Sequence, residues 1–150
     1  MASKFNNKFT TQKKSEKRKE NIREERHIDG ESPKVTFSLK DIDKNQIPPG
    51  QSYEEWARKG LLAYLLEKLE YISQKTMGEA IQEGYIKVYG AFPPRSNFRH
   101  PTHIARDVNW AVIMKIKGQK GRVAGHIIDN VFYIVFLDMD HLFYKMKKSK

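Results

Sequence analysis

Gly121-Arg122-Val123-Ala124-Gly125-His126-Ile127-Ile128-Asp129-Asn130-Val131-Phe132-Tyr133-Ile134-Val135-Phe136-Leu137 decides the fold of this 150-residue chain. Arg122 to Ile128 and Val131 to Leu137 are rich in the β-branched and aromatic residues that suit a pleated surface. Asp129-Asn130 between them is a two-residue hairpin turn, because both residue types tolerate the left-handed backbone that such a turn needs. A third strand is expected over Trp110 to Lys117, joined through a turn holding Gly118 and Gly121. Together they predict a three-stranded antiparallel meander.

The turns also suggest a register. A four-residue loop at 118–121 sets Lys117 opposite Arg122 and Ile113 opposite His126. The tight turn sets His126 opposite Tyr133 and Arg122 opposite Leu137. Directly opposed residues share a face. One face then carries Val112, Met114, Ile116, Val123, Ile127, Phe132, Ile134 and Phe136, and helices should cover it. The other carries Lys115, Lys117, Arg122, His126 and Tyr133. With its cations and an aromatic platform, it reads as a solvated or anion-binding face, on which Tyr133 can stack a base.

Upstream, Lys34 to Leu39 alternates and predicts a short strand. Ile47-Pro48-Pro49-Gly50 breaks the chain. Ser52 with Glu55 is a capping-box spacing. It opens a helix expected over Tyr53 to Ser73, with Leu62, Leu65, Leu66, Leu69 and Ile72 on one stripe. Thr76 and Glu79 repeat the spacing before a shorter helix, Met77 to Glu83, that stops at Gly84; the short connection predicts a helical hairpin. Residues 85–109 hold Pro93, Pro94 and Pro101 and are expected to be irregular, a basic loop insertion bearing Lys87, Arg95, Arg99 and Arg106. The fold class is therefore α+β: short strand, helical hairpin, antiparallel meander.

Residues 1–34 hold ten Lys or Arg against six Asp or Glu and neither Trp nor Tyr. That composition predicts a disordered basic tail before a domain at 35–150. The whole chain carries a net charge of +10, with a pI near 9.7 and a mean hydropathy of −0.72. A polyanionic partner, most simply nucleic acid, follows from that balance. No apolar run is long enough for a membrane span, none follows the N-terminal charges as a secretory signal would, and a cytoplasmic location is expected. The chain has no Cys, which excludes disulfides, thiolate metal sites and Cys nucleophiles. No phosphate-binding glycine loop or nucleophile elbow occurs, and no cofactor is expected. Asp138-x-x-His141 has a spacing that a metal site can use, but two ligands on a strand end are a weak pattern, and no metal is expected. Trp56 and Trp110 read as packing anchors.

The order of elements, together with Gly121 to Tyr144, resembles the RelE/ParE-like toxin superfamily of bacterial toxin–antitoxin systems and related prophage or mobile-element proteins. Those toxins have an Arg opening a strand, a tight turn, an apolar strand, then a His and often a Tyr. The resemblance covers roughly residues 35–144. RelE-like members cut messenger RNA at the ribosome, and ParE-like members inhibit DNA gyrase. For the RNase branch the resemblance assigns Arg122 to the phosphate in the transition state. It makes His141 the acid or base, with Tyr144 beside it. It further implies RNA or the ribosome as target and an antitoxin protein as partner. The chemistry agrees in kind: RNA cleavage without a metal needs a base for the 2′-hydroxyl, an acid for the leaving oxygen and a cation at the phosphorane. The second proton-transfer group stays open among His126, His100, His103 and Asp138. Lys115, Lys117, Arg95, Arg99 and Tyr133 are the expected nucleic-acid contacts. Two further functions share this scaffold, a non-catalytic nucleic-acid-binding or host-interaction protein and a ParE-like topoisomerase inhibitor. The Gly125-His126 pair and the insertion at 85–109 depart from the family pattern.

Overall fold

The computed structural model describes residues 33–145, and the expected disorder of the N-terminal tail lies outside them. Their order is β1 (Thr36–Ser38), α1 (Tyr53–Arg58), α2 (Leu62–Ile72), α3 (Met77–Gln82), β2 (Ile86–Gly90), β3 (Asn109–Ile113), β4 (Arg122–Ile128) and β5 (Val131–Asp138). The class is α+β, as the pattern predicts. The sheet is larger than the meander, with five strands in the order β1-β5-β4-β3-β2; β1 runs parallel to β5 and the other pairs are antiparallel. No helix among the described residues is long and apolar enough to cross a membrane.

The hairpin forms as read. Asp129 sits at φ 54° in the turn, and His126 pairs with Tyr133. Beyond that point β5 departs from simple alternation. Gly125 pairs with Ile134 and Ala124 with Phe136, so Val135 is a bulged extra residue. Ile134 and Leu137 therefore join the helix-side core, while the consecutive Val135 and Phe136 both join the opposite one. The bulge also moves Arg122 from Leu137 to Asp138. Gly125 permits the close approach: a Cβ there would run into the Tyr133 carbonyl oxygen and lie 2.8 Å from the Phe132 ring.

The β3–β4 register differs from the expected one by three residues. Trp110 faces His126, and Ile113 faces Val123. The strand ends at Ile113 because Lys115 adopts φ 53° and the chain turns out through Lys117 to Lys120. An odd shift swaps faces. Val112 and Met114, expected under the helices, pack on the far side of the sheet, as Phe136 does through the bulge, and Lys115 and Lys117 leave it altogether.

Both faces of the sheet are covered. Trp56, Leu61, Leu65, Ile72 and Ala80 pack on one with Ala111, Ile113, Val123, Phe132 and Ile134. On the other, Phe98, Ile104 and Phe143 pack over Trp110, Val112, Ala124 and Phe136. The open, charge-bearing face that the pattern predicts is thus replaced by a second apolar core, roofed by the loop at 91–108.

The expected long helix is two. Gly60, at φ 71°, ends α1, and the Leu61 amide reaches back to the Trp56 carbonyl at 2.8 Å in a glycine-terminated cap. Within α2 only part of the stripe is covered: Leu65 and Ile72 are buried, but Leu66 is 63% exposed. The hairpin reading gives way to three short helices, α3 packing against β2. Its capping box forms as spelled. The Thr76 hydroxyl accepts from the Glu79 amide at 3.1 Å, and the Thr76 amide donates to the Glu79 carboxylate at 2.9 Å. Residues 86–90, expected to be irregular, are strand β2, which pairs with β3. Lys34, placed in the tail by composition, already bridges to Thr76.

Gly125→Ala tests the bulge. The added methyl meets backbone, which cannot rotate away, so a loss of roughly 3 kcal/mol is expected, at the upper end of overpacking costs. Urea denaturation measures it, and a variant within 1 kcal/mol of the parent would contradict this packing.

Candidate functional site

Arg122 opens β4 and lies opposite Asp138, the last residue of β5. The Asp138 carboxylate does not turn to the guanidinium. Its Oδ1 accepts from the Leu142 amide at 2.9 Å and its Oδ2 from the Phe143 amide at 2.8 Å. This folds the chain back after the strand, with His141 in the left-handed region at φ 61°. Phe143 is thereby inserted into the second core, while His141 and Tyr144 stay exposed on either side of it.

The outcome is a pocket of about 130 Å³ whose wall includes Lys87, Tyr89, Arg122, His141 and Tyr144. Arg122 Nη1 donates to the Gln119 carbonyl at 3.1 Å and to the Gly121 carbonyl at 2.9 Å. His141 Nε2 lies 3.4 Å from the same Gln119 oxygen. The imidazole and the guanidinium therefore flank a single oxygen atom. Tyr89 and Tyr144 stack at 4.1 Å with their planes 16° apart, and Lys87 Nζ stands 5.5 Å from the Tyr89 ring centre.

Burial depresses the Arg122 pKa, opposed by Tyr89 and Asp138, yet so basic a group keeps its charge at neutral pH. Burial also raises the Tyr89 phenol, with Tyr144 adding to the rise, so Tyr89 is neutral near pH 7. Asp138 is likewise raised by burial, against the pull of its two amide donors. A solvated imidazole, a fixed cation and two phenols around one small cavity can bind a phosphate diester and move protons at its oxygens.

Three expected site residues meet here: Arg122, His141 and Tyr144. His126 does not. It is buried on β4, with Nε2 2.9 Å from an Asp41 carboxylate oxygen and Nδ1 enclosed without a hydrogen-bond partner among the described residues. Tyr133 is stacked on that imidazole at 4.8 Å and has Lys40 5.2 Å from its ring centre, so it is a cover for His126 and not an open platform. Asp41 itself is held below its ordinary value: burial raises it, but the bonds from His126 and Lys40 outweigh that. His103 reaches the Asp41 carbonyl, and His100 the Pro101 carbonyl. None of these histidines lines the pocket. Both Asp138 oxygens are occupied by amides, which leaves no carboxylate for the Asp-x-x-His spacing to use. Among the described residues no three His, Asp or Glu side chains gather as a metal-binding group. Lys115 and Lys117 are exposed on the turn, with Lys117 Nζ 5.0 Å from the Tyr64 ring, and Arg95 and Arg99 are exposed on the loop at 91–108.

Tyr89 and Lys87 were hidden from the sequence reading by the prolines that follow them. The signal was present in Ile86-Lys87-Val88-Tyr89, which alternates as a half-buried strand does. Ile86 and Val88 enter the helix-side core, while Lys87 and Tyr89 line the pocket.

Asp138→Asn tests the buried carboxylate through pH. A carboxyl whose pKa is raised on folding adds to stability most at acid pH, and that contribution fades as pH rises through the raised value. The stability difference between parent and Asp138→Asn should therefore shift against the parent from about pH 4 upward, as measured by urea unfolding across a pH series. A difference that stays flat would contradict the raised value. Compared with known proteins, the chain matches no family model, no curated protein and no solved structure.

Proposed function

We propose that this chain is a RelE-like endoribonuclease that cuts RNA, ribosome-bound messenger RNA included, by acid–base chemistry at the Arg122–His141 pocket. The observation that carries the reading is the meeting of His141 Nε2 and Arg122 Nη1 at the Gln119 carbonyl, beside the Tyr89–Tyr144 pair. His141 is exposed, and an imidazole can both accept and donate a proton. It takes the proton of the 2′-hydroxyl as the 2′-oxygen attacks phosphorus. Arg122 and Lys87 balance the charge of the phosphorane. The 5′-oxygen departs with a proton from the Tyr144 phenol, leaving a 2′,3′-cyclic phosphate and a 5′-hydroxyl. A neutralising antitoxin protein belongs to the same proposal, through the resemblance alone.

A second reading is favoured by one specific observation. His126 is locked to Asp41, and among the described residues His141 is the one imidazole lining the pocket. A site with a single histidine also suits a non-catalytic RNA-binding module that keeps the cations and the tyrosines.

Purified protein with end-labelled single-stranded RNA, in buffer containing EDTA, separates the two. His141→Ala should slow cleavage about 10²–10⁴-fold. Arg122→Ala should raise the barrier by roughly 3–4 kcal/mol, as loss of a donor at a developing charge does. His141 is exposed, so its variant should keep the fold by circular dichroism. Equal cleavage by parent and His141→Ala rules out the proposed chemistry; binding without cleavage by the parent establishes the module instead.

A further inference from the structure

A groove separate from the pocket lies under the loop at 91–108. It encloses about 710 Å³, with Arg99, His103 and Arg106 on its wall and Phe92, Phe98 and Pro101 among its apolar residues. Arg99 belongs to no strand or helix, yet its backbone is held on both sides. Its amide donates to the Gln46 side-chain oxygen at 2.6 Å, and its carbonyl accepts from the Gln46 side-chain nitrogen at 2.7 Å. Gln46 is buried and is itself bonded to an Asp43 carboxylate oxygen at 2.9 Å; the other Asp43 oxygen accepts from the Asn45 amide at 2.7 Å.

This buried network has two effects. It fixes the main chain of one exposed arginine in an otherwise irregular loop. It also engages both oxygens of Asp43, which lines the same groove, and Asp43 forms no ion pair with Arg99 or Arg106 among the described residues. Neither the Arg99 nor the Arg106 guanidinium has a hydrogen-bond or ion-pair partner among the described residues. A fixed scaffold carrying unpaired cations beside a half-buried Phe92 suits a chain of phosphates.

The groove and the pocket are neighbours. Phe143 lines the pocket, and its ring lies 5.3 Å from Phe92 and 6.3 Å from Phe98, both in the groove. We propose that the groove is a second nucleic-acid subsite, which holds single-stranded RNA flanking the pocket with Arg99 and Arg106 on its phosphates and Gln46 as the positioning residue. This rests on the nucleic-acid reading above but not on cleavage.

The test uses the full chain and a fluorescein-labelled 2′-O-methyl RNA of about twelve nucleotides, within the usual span of single-strand sites. That probe has no free 2′-hydroxyl and cannot be cut by the proposed chemistry. Fluorescence anisotropy over a salt series gives the slope of log affinity against log salt. The double variant Arg99→Gln/Arg106→Gln should lower that slope by about 1.4, since each lost phosphate contact on a single strand removes about 0.7. Both residues are exposed, so the variant should fold. Gln46→Leu removes no charge but should also lower the slope, whereas Arg58→Gln on α1 should not. An unchanged slope in the arginine variant, or no binding of the probe by the parent at low salt, overturns the proposal. So does displacement of the probe by poly-glutamate at equal charge concentration, which would make the groove a surface for acidic protein. Cleavage with an unchanged slope would remove the groove and leave the pocket; a lowered slope without cleavage would do the reverse.

Discussion

The Asp138 carboxylate is the constraint on which the rest of the molecule depends. A buried carboxyl needs hydrogen-bond partners in place of water, and two consecutive amides supply them here, although burial still outweighs them and holds the carboxyl above its ordinary value. Bonds to a charged acceptor contribute about 1.5–3 kcal/mol each. That interaction reverses the chain after β5. The reversal sends Phe143 onto the second face of the sheet and leaves His141 and Tyr144 at its border with Arg122. Without it, the far core would lose its central aromatic residue and the pocket two of its walls. A residue that looks from its spacing like a ligand or a base is instead the anchor that positions the groups around it.

The bulge at Val135 has a comparable reach. It lets β5 serve two cores with adjacent residues, Val135 and Phe136 to one side and Ile134 and Leu137 to the other. It also brings Asp138, and not Leu137, opposite Arg122. Gly125 is where the two strands come close enough to allow this. The small residue before His126 thus matters for backbone approach and not for the chemistry of its neighbour.

What could be read from the sequence follows from the range of the interactions involved. The Asp129-Asn130 turn, the Thr76–Glu79 capping box and the stop at Gly84 are set by residues within a few positions of each other, and each forms as spelled. The Gly60 break is equally local, but the capping signal at Ser52 and the leucine stripe from Leu62 on were joined across it into one helix. The β3 register depended on a turn whose length the glycines alone do not set, because Lys115 takes up a left-handed conformation that few lysines adopt. The roof of the second face was illegible because irregular backbone carries no period. A family resemblance singled out Arg122, His141 and Tyr144 as candidates, and the three line one pocket. His126 was misplaced in role: its sheet face was foreseeable from alternation, but its partner Asp41 comes from a distant loop. Tyr89 was missed because a strand too short to stand out was read as part of the proline-rich stretch beside it.

The parallel pairing of β1 with β5 has a consequence for how the chain assembles. The β4–β5 hairpin closes over two residues and needs no distant segment. Thr36 meets Val131 only after nearly all of the described chain has intervened, and loop closure over such a span is slow because its entropy must be overcome before any contact compensates for it. During synthesis β1 emerges long before its partner exists. The strand Thr36–Ser38 must therefore wait for its sheet partner until the hairpin is made, with only its start held to the chain near Thr76. The order in which the sheet is built runs against the order in which the ribosome delivers it.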